Sequence, residues 1–283
     1  MDSGPILSET VALIRKILES DLERITVERA VIGLFFTGAK LSTGHAGACA
    51  TPLRSIREEI CSSASPAATA YPGKLRGRTV KQLLGEIDSV SGIHRAAYVA
   101  VTNALAELCW ERRPSPEVEL RTGVDAYDAA QIQPGDNVVV VGAFVPFLKA
   151  LKQKDQRFTV LELNPATLKP DELPHFRPAH EAASVLPTAD VVLITGTTLL
   201  NGTLEGLLAL SPPQARVVMV GPTVGLLPDP LLSRGVDVIG GTRIVVPDEF
   251  LDILAEGGTG QHFLGHSAEK VVLVRRTTAS RAA

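Results

Sequence analysis

Apolar residues open the chain at helical spacing: Ile6, Val11, Ile14 and Leu18 fall on one face of a helix predicted over residues 6–20. The pattern then shortens. Apolar stretches at 25–27, 30–36 and 39–41, separated by turn-prone or charged residues, predict an antiparallel meander. From Thr51 the spacing turns helical until SSASPAATAYPG at 62–73 breaks it as a loop. A short helix is predicted from Thr79, whose hydroxyl suits an N-cap for residues 80–84. The longest helical run, IHRAAYVAVTNALAELCWE at 93–111, is apolar on nearly every side and is expected to be buried on both flanks. RRPSP at 112–116 marks the expected boundary between a first domain, 1–115, and a second, 116–283.

The second half keeps a different rhythm. Valine-rich runs at 138–142, 159–163, 191–195, 217–221, 236–240 and 271–274 are separated by segments long enough to hold helices. Such alternation predicts an α/β fold with a mostly parallel, doubly wound sheet covered on both faces.

A chain of 283 residues exceeds what one core usually supports, in keeping with two domains. The net charge of -3 gives no attraction for a polyanion, so no nucleic acid partner is expected. No apolar run approaches the roughly 20 residues that span a bilayer. The opening MDSGPILSET lacks a basic stretch followed by an apolar one, so the expectation is no membrane partner and a cytoplasmic location. Cys49, Cys61 and Cys109 are widely separated and form no C-x-x-C pair, which argues against a disulfide framework or a thiolate metal site.

Ligands of open parallel sheets bind outside the carboxyl ends of the strands, so the residues just after each valine run are the ones to read. They are Gly142-Ala143-Phe144, Glu162-Leu163-Asn164, Thr195-Gly196-Thr197-Thr198 with Asn201 beyond, and Gly221-Pro222-Thr223. Small residues, hydroxyls, amides and one carboxylate converge there, a set suited to an anionic or strongly polar ligand. Glu162 follows Gly142 at the spacing, about 20 residues, at which a dinucleotide-binding acid meets a ribose. GAFVPF, however, carries one glycine where a pyrophosphate needs several. The hydroxyls also have a purely local reading as turn and cap residues.

The segments VVVVGAFVPFL, VLELNP, LPTADVVLITGTTLLNGTLEGLL and VVMVGPTVGLLPDPLLSRGVDVIGG resemble a family described as "Putative heavy-metal chelation". FFTGAKLSTGHAGACATP at 35–52 and AYVAVTNAL at 97–105 extend the likeness more weakly. The resemblance implies a domain similar to the enolase N-terminal fold, then a Rossmann-like domain, with a polar site between them. Carried onto this sequence, it places Thr37, Gly44, Gly47 and Asn103 beside the cleft, together with Glu162, Asn164, Thr197, Asn201 and Thr223. It implies binding of a heavy metal or a metal complex, with Glu162 and His45 as candidate metal ligands. An oxygen-rich set of this kind favours a hard cation or an already chelated metal over bare zinc or copper. The rival reading is an enzyme, a transferase or lyase, whose Rossmann-like domain holds a nucleotide or S-adenosylmethionine and uses Glu162 on the ribose or as a base. A homodimer is the default assembly. His262 and His266 have metal-like spacing but sit in an expected loop, while His94, His175 and His180 are expected at the surface. Lys74, Arg76, Arg78 and Lys81 read as a solvated basic face, and no Ser/His/Asp arrangement is evident.

Overall fold

The computed structural model describes residues 4–53, 73–87, 92–225 and 227–276. The helical stretch expected beyond Thr51, most of the 62–73 loop, and Cys61 lie outside these residues.

In the first half, the helix Pro5–Leu18 buries Ile6, Leu7, Val11, Ile14 and Leu18 and runs into a 3-10 turn at Glu19–Glu23. Three antiparallel strands follow in the order β1 Val27–Ile32, β2 Phe36–Leu41 and β3 Ala46–Ala50. The meander is therefore present, but displaced along the chain from its expected positions. Residues 33–35 are a turn closed by the Gly33 N–H on Phe36 O, and the third strand is AGACA. Those small residues have little strand preference of their own. Gly47 and Cys49 face the long helix Gly92–Arg112, and a Cβ on Gly47 would fall 2.3 Å from Ala100 O and Ala104 N. The helix Val80–Glu86 begins as expected at Thr79, whose side chain accepts from the Gln82 N–H in a capping box.

The second half forms one eight-stranded sheet. Its strands are β4 Val118–Thr122, β5 Val138–Val141, β6 Phe158–Glu162, β7 Phe176–Pro178, β8 Val191–Thr195, β9 Arg216–Val220, β10 Val236–Ile244 and β11 Ala268–Arg275. Their spatial order is β4-β11-β10-β9-β8-β5-β6-β7. From β5 to β10 neighbouring strands pair in parallel, while β11 runs antiparallel to both β10 and β4. The chain leaves β5 toward β6 and β7 on one side, then crosses to β8, β9 and β10 on the other. The topological switch point, where an open α/β sheet presents a crevice, therefore lies between β5 and β8.

The two halves interlock. Ala39 and Cys49 face the core beneath the long helix, whereas Ala46, Ala48 and Phe36 face a cluster built from Phe250, Leu251, Leu254 and Phe263. The helix Pro247–Ala255, although late in the chain, thus covers the second face of the β1–β3 sheet. Ion pairs Arg29–Asp252 (2.7 Å) and Lys40–Asp248 (2.8 Å) rim that contact. Among the described residues no helix is long and apolar enough to cross a membrane.

Candidate functional site

The crevice at the switch point is framed by the loops after β5 and β8. Gly142 turns the chain at φ +92°, and a Cβ there would meet Thr195 Cγ2 at 2.6 Å. The loops touch at their base, and only a glycine fits. Phe144 starts the helix Val145–Gln153 and packs its ring edge-on against Phe147 at 4.8 Å. Thr195 caps the 3-10 turn Gly196–Leu199, with its carbonyl accepting from Thr198 Oγ1 at 2.8 Å. Gly196 and Thr198 are buried in that turn, while Thr197 is exposed. Asn201, beyond it, accepts from the Thr203 N–H (3.2 Å) and hydroxyl (2.7 Å). Asn164, after β6, accepts from the Ala166 N–H at 3.0 Å.

Glu162 has a firmer structural task than its position suggested. Its Oε2 accepts from the Ala143 N–H (2.9 Å), and its Oε1 accepts from the N–H groups of Leu163 (2.9 Å) and Asn164 (3.1 Å). The carboxylate thereby staples the loop after β5 to the loop after β6. This bears on phosphate binding. In dinucleotide folds the free amides of the first loop hold the pyrophosphate. Here the Ala143 amide is bound to a carboxylate, the Phe144 amide donates to Gly142 O at 2.9 Å, and Pro146 has none.

Thr223 and Asn103 join the halves. Thr223 Oγ1 accepts from the Ala50 N–H at 3.0 Å, and Cys49 Sγ lies 3.9 Å from the same oxygen. Asn103 Nδ2 donates to Ala48 O (2.8 Å), Thr223 O (3.0 Å) and Pro222 O (3.3 Å). The loop after β9, with Gly221 at its start, is thus held on the end of β3. Thr37 is close by but fully buried, its hydroxyl 3.0 Å from that of Thr51. Beside Asn103 and Thr223 lies a cavity of about 30 Å³, also lined by Ile6, Leu7, Val224 and Leu231. That is room for roughly two water molecules and not for an organic ligand.

Gly47 lies within β3 as a packing residue, and two other expected members stand apart. Gly44 and His45 belong to the β2–β3 turn, roughly 17–20 Å along the chain direction of β3 from Ala50 at the usual strand rise. His45 bonds Glu111 Oε2 and Thr43 Oγ1, each at 3.0 Å. His175, expected at the surface, is half-buried and stacks on Phe158 at 3.9 Å. Arg95, which the sequence reading did not single out, is buried on the long helix and donates to Leu200 O at 3.4 Å. Its only sequence signal was helical register: Arg95, Val99 and Asn103 share one face.

The donors can be tested against a heavy metal. Among the described residues no group of three or more His, Cys, Asp or Glu is placed to hold an ion. Burial pushes the Cys49 and Cys109 thiols up to about 12, so both stay protonated and are poor metal ligands. The described residues do not fit a bare soft ion.

Comparison with known proteins agrees with this architecture. An uncharacterised protein from Methanocaldococcus jannaschii is 28% identical over 192 residues, 67% of this chain and 70% of that protein. A DUF364-family protein of unknown function from Pyrococcus horikoshii superposes with a TM-score of 0.72 at 20% identity, covering 94% of this chain and 98% of the other. A DUF364-family protein of unknown function from Desulfitobacterium hafniense gives 0.68 at 21% identity, covering 96% and 98%. Two family models, DUF364 over residues 125–273 and DUF4213 over 15–106, carry the same description, and the chain belongs to the family described as "Putative heavy-metal chelation".

Proposed function

We propose that the protein binds a small polar ligand containing a metal at the carboxyl edge of the parallel sheet, over the loops after β5, β6 and β8. The observation that carries this reading is convergence: the loops after β5, β6, β8 and β9 all leave the parallel sheet at its carboxyl edge, and Asn103 and Thr223 tie that edge to the first half. Thr197 offers a hydroxyl. Asn164 and Asn201 use their carbonyl oxygens in local turns, which leaves their amide N–H groups as donors. Together these groups suit the oxygen-rich exterior of a polar ligand. The rival nucleotide reading is less well served, because the Ala143 and Phe144 amides of the β5 loop are already engaged. The same reading takes the protein to be a cytoplasmic homodimer.

Elemental analysis of protein purified without chelator or affinity metal, run beside mass spectrometry of molecules released on denaturation, tests the proposal. Near-stoichiometric metal is the expected result. A metal-free protein carrying a nucleotide or adenosyl compound would overturn it.

A further inference from the structure

The eight-stranded sheet ends on β4 at one side and on β7 at the other. An edge strand presents a row of N–H and C=O groups that another chain can pair with, and short strands, prolines, bulges and charges are the usual deterrents. β7 is closed in this way, with three residues of which Pro178 has no N–H. β1, at the rim of the smaller sheet, carries a register shift between Val27 and Arg29. β4 differs from both. VELRT is five residues long, pairs with β11 without a register shift, and has no strand on its outer side among the described residues. The Arg276 N–H donates to Glu117 O, and antiparallel bonding alternates from there. The backbone groups of Glu119 and Arg121 therefore face β11, while those of Val118, Leu120 and Thr122 point outward. Val118 O accepts from Arg276 Nε at 3.1 Å and keeps its second lone pair for another donor.

The charges on β4 do not deter a second copy, because they are of opposite sign and two residues apart. Laid antiparallel to itself about Leu120, VELRT puts Val118 opposite Thr122, Leu120 opposite Leu120, and Glu119 opposite Arg121. The three outward-pointing residues are then the ones that exchange backbone hydrogen bonds across the seam. Glu119 and Arg121 fall in the non-hydrogen-bonded pairs, where side chains approach most closely. Within one chain Arg121 already donates to Glu119 through Nε (3.1 Å) and Nη2 (2.9 Å), so two copies would join two such pairs into a cluster of alternating sign. We infer that the protein dimerises by pairing β4 with β4 of a second copy, antiparallel about a two-fold axis at Leu120, so that two eight-stranded sheets become one. The inference rests on the homodimer of the reading above and gives it an interface.

Native mass spectrometry and light scattering of the full chain over a dilution series give the oligomeric state, and hydrogen exchange at Leu120 reports on the seam itself. A dimer is expected, with the Leu120 amide exchanging more slowly as protein concentration rises. Glu119→Arg sets positive charges opposite one another across the seam, and Arg121→Glu sets negative ones. Each should raise the dimer dissociation constant at least about tenfold. Both side chains are part-exposed, so the far-UV circular dichroism of each variant should match the parent. An equimolar mixture of the two variants should recover a heterodimer, because one chain then carries only positive and the other only negative side chains at these positions. A parent protein that stays monomeric at every concentration would overturn the seam and the homodimer together. A parent dimer that the reversals leave intact, or that the mixture does not restore, or in which Leu120 exchange ignores concentration, would overturn the seam and leave the homodimer standing.

Discussion

Gly142 shows how much one residue decides here. Its φ of +92° lies in the left-handed region, and its absent side chain is the space that Thr195 fills. Gly142→Ala should lower stability by roughly 1–3 kcal/mol, seen as a shift of the urea midpoint at unchanged slope. Glu162 has the opposite character, a charged group fixed by three backbone donors. Glu162→Gln keeps the size but supplies only one acceptor oxygen, so some of those amides lose their partner. A cost of about 1–3 kcal/mol is expected by denaturant titration, and a loss of ligand in that variant would not by itself identify Glu162 as a metal ligand. For the thiols, burial and a pKa near 12 predict that iodoacetamide at pH 8 labels neither Cys49 nor Cys109 in the folded protein and labels both after unfolding, as read by peptide mass mapping.

At the scale of elements, the short helix Val80–Glu86 is joined to the long helix by a polar network. Glu86 accepts from Arg78 and, at 2.5 Å, from the Tyr98 hydroxyl. The Arg78 bond, followed by that of Tyr98, holds the Glu86 carboxyl below its ordinary value, while burial and then Glu86 push the Tyr98 phenol up to about 12. A carboxyl with a depressed folded pKa contributes stability above its unfolded pKa and loses that contribution as pH falls through the folded value. Glu86→Gln should therefore destabilise by roughly 0.5–1.5 kcal/mol at pH 7, a modest figure because the side chain is part-exposed. The gap to the parent protein should close as the pH is taken below the ordinary carboxylate range, which thermal melts across a pH series would show. Elements also differ in how plainly the chain announces them. The central parallel strands are legible as valine runs because both their faces are buried. The edge strands β4 and β7 are not, since VELRT alternates with charges and FRP is only three residues long. Strand β3 was hidden by residues chosen for the approach of a helix.

For the whole molecule, the helix Pro247–Ala255 makes the two halves depend on each other. Leu251 is fully buried against β2, where a Cβ on Gly38 would already lie 2.7 Å from its Cδ2. Leu251→Ala should cost about 2–5 kcal/mol. Because that helix and Phe263 together cover this face of the first sheet, both halves should lose structure in one transition. Far-UV circular dichroism and the fluorescence of Trp110, which packs on the core of the second half, should give coincident curves in the parent and in the variant. Two separated transitions would show that the halves stand independently.

The sequence by itself determined what local periodicity and burial dictate: the amphipathic first helix, the long apolar helix, the capped helix at Thr79, the alternating second half, and the polar loops at its carboxyl edge. These depend on neighbours within a few turns of chain, so they can be read from spacing alone. Only the tertiary structure decided how those residues are used. It turned Glu162 inward onto three amides, made Asn103 and Thr223 the joint between halves, left Gly44 and His45 at the far end of β3, and placed a helix from the end of the chain on the first sheet. The reason is that each outcome depends on a partner far away in sequence, and a hydrogen-bonding group does not reveal which of its possible partners the packed chain will bring to it.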